Sequence, residues 1–283
     1  MPRAPVSWQQ LAVALGASLL ILMPPRVARA DDHATSQAGA GRPAFARARA
    51  MPVSGVGGLL RLKQEIGDES FRIALKLSRV DLAHAPHLDS LIVPVPGTEL
   101  LDVAPFPASL PGTDTIPKLI LVTLRVQAFS AYELGTLVTW GPICSGGRRS
   151  PTRAGLYHAN WKDRDHVSTV DSTWVMPYTV NIDNQVGTAL HEYSLPGLPV
   201  SHCCIRLLEE DARWIYEWVQ TERAGHPGTP VVLFGAYAYD APPPWTAYPV
   251  DPGAAVLQPE EIRSAVDLLL LRDPSWSTMG PPP

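Results

Sequence analysis

The sequence predicts a mainly β fold preceded by a small α/β segment. From Lys118 onward, runs of β-branched and apolar residues alternate with glycine- and proline-containing turns, which is the pattern of successive strands. The chain has 30 prolines in 283 residues, which favours turns and extended segments over a helical bundle. In this part of the chain a clear helical period follows only after Arg206.

Composition indicates a folded protein with a sizeable core, because 46% of the residues are hydrophobic and 18% are charged. The length allows one larger domain, or a small and a medium one. The formal net charge is −4, so bulk electrostatic attraction to nucleic acid is excluded.

Residues 1–30 have the composition of a secretory signal peptide. An early arginine precedes an apolar run over 11–23, and Ala28-Arg29-Ala30 forms an A-x-A cleavage site. The apolar run is shorter than the roughly 20 residues that a membrane-spanning helix needs. We therefore expect export to the periplasm or cell envelope and no stable membrane span after cleavage. Cleavage removes three arginines and no acid, which takes the formal charge to −7.

Three short regions precede the β-rich part. Residues 31–58 are rich in Ala, Gly, Arg and Ser and predict a flexible linker. Residues 59–97 form a small segment with an amphipathic helix over 69–78 and a strand over 89–94. Residues 98–117 contain repeated prolines and predict an extended connector.

The β-rich part is expected to form one domain over 118–238. A long strand is predicted over 119–129, a short continuation over 131–134, a second strand over 136–140 and a third over 174–182, where Pro177 indicates an edge or a bulge. An amphipathic helix is predicted over 208–219 and a closing strand over 229–234. Residues 239–283 are expected to be a Pro-rich C-terminal extension, wrapping or mobile, with one helix over 259–271.

The residues that do chemistry concentrate in the stretch 190–206, which holds two thiols, two imidazoles and a guanidinium. A cysteine is an effective nucleophile as the thiolate, and a nearby imidazole is a common acceptor for its proton. The chain has three cysteines, Cys144, Cys203 and Cys204, so at least one stays unpaired within the chain. The predicted helix follows directly, and a helix N-terminus both lowers a thiol pKa and offers backbone N–H donors to an oxyanion.

The run Ser201-His202-Cys203-Cys204-Ile205-Arg206, with His191 upstream, resembles the YkuD family of L,D-transpeptidases. The family signature is a histidine followed at a distance by Ser/Thr-His-Gly-Cys-aliphatic-Arg. The stretches 145–155 and 174–178 look like the family's substrate-side strands, and the likeness runs from about Ile116 to Tyr237. The resemblance implies an L,D-transpeptidase-like catalytic β-sandwich with a flanking helix after the nucleophile.

The resemblance also implies a mechanism that needs no cofactor and no metal. Cys204 would attack a peptidoglycan stem peptide, release its terminal D-alanine and pass the acyl group to an acceptor amine, or to water in a carboxypeptidase side reaction. His191 or His202 would take the thiol proton, and we favour His191, oriented by the carbonyl of Glu192. The resemblance gives oxyanion stabilisation or orientation to Cys203, Glu192 and Ser201. It gives substrate binding to Arg206, Trp174, Met176 and Tyr178.

Two positions depart from the family pattern, because Cys203 and Glu192 stand where the family has glycine. A left-handed backbone at the first position would make the Cys203 side chain costly. Adjacent cysteines can also form a strained disulfide, or either can pair with Cys144, and any bridge to Cys204 removes the nucleophile. The alternative function is therefore a catalytically impaired cell-wall-binding protein on the same scaffold.

Residues 59–97 faintly resemble a LysM-type module, with 66–68 and 91–94 in matching places, which would imply binding of glycan strands. A small docking element without a ligand is the alternative. Zinc binding by the His/Cys cluster ranks below catalysis because no second pair lies at zinc-finger spacing. A papain-type protease would place its cysteine early and its base far downstream, the reverse of the order here.

Overall fold

The computed structural model describes residues 48–247 and 251–272. The predicted signal peptide, the first part of the predicted linker and the final residues of the extension lie outside the described residues. The eleven described strands are β1 (Ala48–Pro52), β2 (Ser90–Pro94), β3 (Leu119–Thr123), β4 (Ala128–Glu133), β5 (Thr136–Pro142), β6 (Gly155–His158), β7 (Trp161–Val167), β8 (Val175–Asp183), β9 (Thr188–Glu192), β10 (Ile205–Leu207) and β11 (Pro230–Phe234). The described α-helices are α1 (Gly55–Ile66), α2 (Asp68–Leu77), α3 (Glu209–Trp218) and α4 (Pro259–Arg272).

Two sheets form the β-rich domain, which confirms the predicted mainly β fold. The five-stranded sheet has the order β5-β4-β3-β11-β6, and the four-stranded sheet has the order β10-β9-β8-β7. Strand β3 alternates between two cores, because Leu119 and Leu121 face one and Ile120 and Val122 face the other. The second core also takes residues from the four-stranded sheet and α3, so the two sheets pack face to face.

The N-terminal segment is a β-α-α-β unit whose two strands pair antiparallel, Ala48 opposite Pro94. Residues 48–58, expected as linker, instead form β1 and begin α1, because the edge of β2 supplies hydrogen-bond partners that composition alone does not reveal. Ile73, Leu77 and Ile92 of this unit share a core with β3 and β11. The unit is therefore continuous with the β-rich domain in its packing.

Three further details differ from expectation. The strand expected over 119–129 is split by a turn after Thr123, where Gln127 has a φ of 51°. Strands β6 and β7 lack the apolar alternation of a half-buried strand, and no strand was predicted there; every residue of β7 is exposed or half-buried. In the connector over 98–117, a 3-10 helix and buried Val103, Phe106 and Leu110 contribute to the core, so it is more than a spacer.

The C-terminal extension wraps the domain over its described part. Helix α4 buries Ala265, Val266 and Leu269 in the first core. Arg125, in the turn after β3, donates to both carboxylate oxygens of Glu261 at 2.7 Å. Among the described residues, no helix has the length and apolar character needed to cross a membrane.

Candidate active site

The stretch that concentrates reactive side chains forms the end of β9, a loop over 193–204 and the start of β10. Strands β9 and β10 are parallel neighbours, with Arg206 opposite His191 and Ile205 opposite Leu190. The loop therefore returns Cys204 to the strand adjacent to the one that carries His191. Because β10 precedes α3, Cys204 does not lie at a helix N-terminus, which corrects the expectation of helix N–H donors there.

His191 is a neutral, buried imidazole with a defined tautomer. Its side chain is almost inaccessible, with 4% of the residue exposed, and its Nδ1–H donates to the carbonyl of Glu192 at 2.8 Å. Burial lowers the pKa of His191 to about 4, against the favourable effect of the Glu192 carbonyl, and the positive charge of Arg206 lowers it further. The ring is therefore neutral at pH 7, and its Nε2 carries a free lone pair.

Cys203 occupies a left-handed backbone conformation, with a φ of 93°. This is the region that glycine adopts without steric cost and other residues adopt at about 1–3 kcal/mol. Thr152 Oγ1 donates to the Cys203 carbonyl at 2.8 Å, and Thr188 Oγ1 lies 3.8 Å from its Sγ. The fold thus imposes at position 203 the conformation that explains a glycine in the family signature.

The two adjacent thiols interact with each other. All three cysteines of the chain are free. The hydrogen bond from the Cys204 thiol lowers the pKa of Cys203 to about 6, and the same bond, followed by burial, raises the pKa of Cys204. The two thiols titrate as a pair, so the first proton is lost easily and the second is retained.

Cys204 is not hydrogen-bonded to an imidazole in this conformer. Its Sγ points to the carbonyl of Gly187 at 3.6 Å. Within residues 48–247 and 251–272, no hydrogen bond joins this sulfur to the ring of His191 or His202. Catalytic hydrogen bonds of this kind are often long or unaligned until substrate binds.

A small pocket of about 100 Å³ gathers most of the predicted site residues. Its lining consists of Trp174, Met176, His191, Tyr193, Ser201, His202, Cys204 and Arg206. The rings of His202 and Trp174 lie 4.7 Å apart, centroid to centroid, and His202 is exposed. His191 and His202 therefore differ in environment, one buried behind the pocket and the other at its mouth.

Ser201 and Arg206 brace the pocket. The buried Ser201 hydroxyl donates to the carbonyl of Cys204 at 2.5 Å, and its amide donates to Ser145. The Arg206 guanidinium lies 4.6 Å from the Tyr193 ring centroid and donates to Ser194 Oγ at 3.4 Å. Ser201 therefore fixes the turn before Cys204, and Arg206 contributes positive charge to the pocket wall.

Three of the predicted residues lie outside the pocket lining. Cys203 and Glu192 flank it, and Glu192 contributes its carbonyl to His191. Tyr178 is directed elsewhere, because its φ is 54° and its ring meets Tyr216 of α3 edge-on at 5.9 Å. It packs against the second core instead of joining Trp174 and Met176.

Tyr193 lines the pocket but was not predicted. Its position as an aromatic residue within the reactive stretch could have indicated it.

Pro177 lies in the part of β8 that pairs only with β7, because the pairing with β9 begins at Val180. This stretch is locally an edge, as the proline indicated. The described residues contain no group of three or more His, Cys, Asp or Glu side chains arranged to hold a metal ion.

Family comparison agrees with the geometry. The family model of YkuD, described as the L,D-transpeptidase catalytic domain, matches residues 117–233. The matched region is similar to the YkuD catalytic domain. It contains both sheets, from β3 to β11, and the whole pocket. No curated protein matches the chain.

Several solved structures of L,D-transpeptidases are similar to the chain. The L,D-transpeptidase from Mycobacterium smegmatis is 19% identical with a TM-score of 0.36, and L,D-transpeptidase 1 from Mycobacterium tuberculosis is 22% identical with a TM-score of 0.34. Each match covers 42% of this chain, and 59% and 62% of theirs. The L,D-transpeptidase from Stackebrandtia nassauensis is 19% identical with a TM-score of 0.43, over 66% of this chain and 98% of its own. The chain thus spans about three fifths of the two mycobacterial structures.

Proposed function

We propose that the chain is an exported L,D-transpeptidase that forms a thioester between Cys204 and a peptidoglycan stem peptide. The observation that carries this proposal is the pocket whose lining includes Cys204, two imidazoles and a guanidinium. It lies in the segment that matches the L,D-transpeptidase catalytic domain. The A-x-A site after the apolar run supports export to the periplasm or cell envelope.

In the proposed reaction, His191 Nε2 accepts the proton of Cys204 as the sulfur attacks the donor carbonyl. The tautomer supports this role, because Nδ1 already donates to Glu192 and leaves Nε2 as the acceptor. The C–N bond to the terminal D-alanine then breaks, and the imidazolium gives its proton to the leaving amine. An acceptor amine attacks the thioester and regenerates the thiol, or water does so in a carboxypeptidase side reaction.

The low pKa of His191 favours proton transfer during attack over a stable thiolate–imidazolium pair. A neutral base with a pKa of about 4 does not hold the proton of a thiol whose own pKa is raised. Arg206 and the exposed His202 face the same cavity, where they are suited to a substrate carboxylate or carbonyl. Trp174 and Met176 supply its apolar wall.

A second candidate is a wall-binding protein on the same scaffold with impaired catalysis. The observation that favours it is Cys203, whose φ of 93° places backbone strain beside Cys204 and whose thiol raises the pKa of Cys204. In this alternative, the N-terminal β-α-α-β unit binds glycan strands while the pocket does not turn over.

Incubation of the reduced protein with disaccharide-tetrapeptide, followed by mass spectrometry, separates the two candidates. The enzyme produces cross-linked dimer or free D-alanine, and a Cys204→Ser variant produces neither. If wild type with three titratable thiols yields no product, the transpeptidase proposal fails. Retention of the same protein on insoluble peptidoglycan then supports the wall-binding alternative.

A further inference from the structure

The loop over 193–204 is held at Leu195 by the turn that follows α2, outside the segment matched to the family. Asp81 Oδ2 accepts a hydrogen bond from the Leu195 amide at 2.7 Å, and the Asp81 amide donates to the Leu195 carbonyl at 3.0 Å. Val80 and Pro196 add an antiparallel bridge. Three consecutive interactions therefore fix the backbone of the loop two residues after Tyr193.

The carboxylate of Asp81 is itself oriented. Its Oδ1 accepts from the His84 amide at 2.9 Å and lies 2.7 Å from His84 Nδ1, so each oxygen has a separate partner. Its side chain is only 19% exposed. These contacts on both oxygens fix the orientation of the Asp81 carboxylate, which accepts the hydrogen bond from the Leu195 amide.

The turn that carries Asp81 is anchored to the β-rich domain at two further points. Lys76, which is 1% exposed, pairs with Asp211 at 2.5 Å and with Glu210 at 2.9 Å, both at the start of α3. The buried Arg79 donates to the Val126 carbonyl at 2.9 Å and lies 5.3 Å from the Trp140 ring centroid. Asp81 therefore acts from a support that does not move independently of the sheets.

The far end of the loop has its own attachment. The buried Cys144 thiol donates to the Leu198 carbonyl at 3.2 Å and accepts from the Val200 amide at 3.5 Å. Between Leu195 and Ser201 the loop is thus fixed at both ends. Tyr193, which forms part of the pocket wall beside Arg206, donates its amide to the Leu207 carbonyl at 3.2 Å, and the Leu195 contacts fix the loop two residues after it.

We propose that Asp81 is a positioning residue for the active-site loop, acting through Leu195 on the pocket that holds Cys204. This inference rests on the proposed transpeptidase function. It assigns to the N-terminal segment a part in the reaction, beyond any binding of the cell wall. A displacement of the order of 1 Å in a positioning element can reduce a rate by up to about a hundredfold, so an effect of about tenfold is expected here.

The test compares Asp81→Ala, Asp81→Asn and the control Asp267→Ala, which removes an exposed carboxylate of α4. Asp81→Ala is expected to lower kcat for cross-linking about tenfold, with KM within about twofold. Asp81→Asn retains an oxygen acceptor for Leu195 and is expected to keep most of the rate. Asp267→Ala is expected to match wild type.

The rate at which a carbapenem acylates Cys204, followed by intact mass, gives a second readout on the same variants and is expected to fall in parallel with kcat. If Asp81→Ala does not fold, Asp81→Glu, which keeps the charge but displaces the oxygens, takes its place and is expected to lower kcat.

Equal kcat values for wild type and the folded Ala or Glu variant overturn the inference. A loss in Asp81→Asn as large as in Asp81→Ala also overturns it. An inactive wild type instead refutes the proposed function, so the two failures are distinct.

Discussion

At the scale of single residues, Cys203 decides how the site behaves. It places a side chain in a left-handed conformation and a second thiol beside Cys204. Both effects disfavour attack by Cys204. The first adds backbone strain beside it, and the second raises its pKa, so that Cys204 stays protonated. The position of the departure was visible in the sequence, but the effect of each thiol on the pKa of the other required the structure.

The Cys203→Gly variant tests both effects of Cys203 on Cys204. Removal of the strain is expected to raise the free energy of unfolding by about 1 kcal/mol, because glycine adopts positive φ freely. Loss of the Cys203 contact is expected to lower the pKa of Cys204, so the pH midpoint of its alkylation by iodoacetamide falls. Transpeptidation is expected to be at least as fast as in wild type and less sensitive to oxidants. A slower variant would show that Cys203 has a role of its own.

His191 makes stability depend on pH. Its folded pKa of about 4 lies below the ordinary value of 6.5, so the unfolded chain binds its proton first as pH falls. The stability that this group contributes is present above pH 6.5 and is lost as pH falls towards 4, by about 3 kcal/mol in total.

Urea unfolding of wild type and His191→Gln between pH 7 and 4 measures this difference. The variant is expected to show a shallower decline, while His226→Gln, at an exposed histidine, follows wild type. Parallel curves for wild type and His191→Gln would contradict the assignment of a buried, neutral ring.

At the scale of elements, the contact between α2 and α3 joins the N-terminal unit to the β-rich domain. Lys76→Ala leaves the buried Asp211 carboxylate without its partner and is expected to cost about 3–5 kcal/mol in chemical denaturation. Lys63→Ala, which breaks an exposed pair with Asp68, is expected to cost less than about 1 kcal/mol.

The double variant Lys76→Met with Asp211→Asn is expected to recover part of the loss, because no charge remains buried. If Lys76→Ala costs no more than Lys63→Ala, the ion pair does not join the two parts of the chain.

Elements with a strong apolar pattern were predictable, and those defined by long-range partners were not. Helices α2, α3 and α4 begin and end within a residue or two of the expected positions, because amphipathic spacing and turn residues are local. Strand β1 becomes a strand by pairing with β2, some 40 residues later, and β7 has an exposed polar sequence. Tyr178 was misplaced because its backbone has a φ of 54°, which the local sequence did not indicate.

At the scale of the whole molecule, one core extends across the N-terminal unit and the family-matched domain. Ile73, Leu77 and Ile92 pack with residues of β3 and β11, and α4 covers the same core. A chain lacking residues 31–97 is therefore expected not to unfold cooperatively, since it exposes this apolar surface to water. Near-UV circular dichroism on heating measures this. A sharp transition with full activity would show that the unit is independent.

The pocket lining was largely predictable because the motif spans two adjacent strands, which bring their residues together once β9 and β10 pair in parallel. The supports of the loop were not predictable, since Asp81 and Cys144 lie 114 and 54 or more residues from their partners.

The central claim is that Cys204 carries the acyl group. The most direct measurement incubates reduced protein with disaccharide-tetrapeptide, quenches in acid and maps the thioester by peptide mass spectrometry. We expect an adduct on Cys204, with Cys203 and Cys144 unmodified. An acyl group on Cys203, or none on any cysteine while all three thiols remain free, would contradict it.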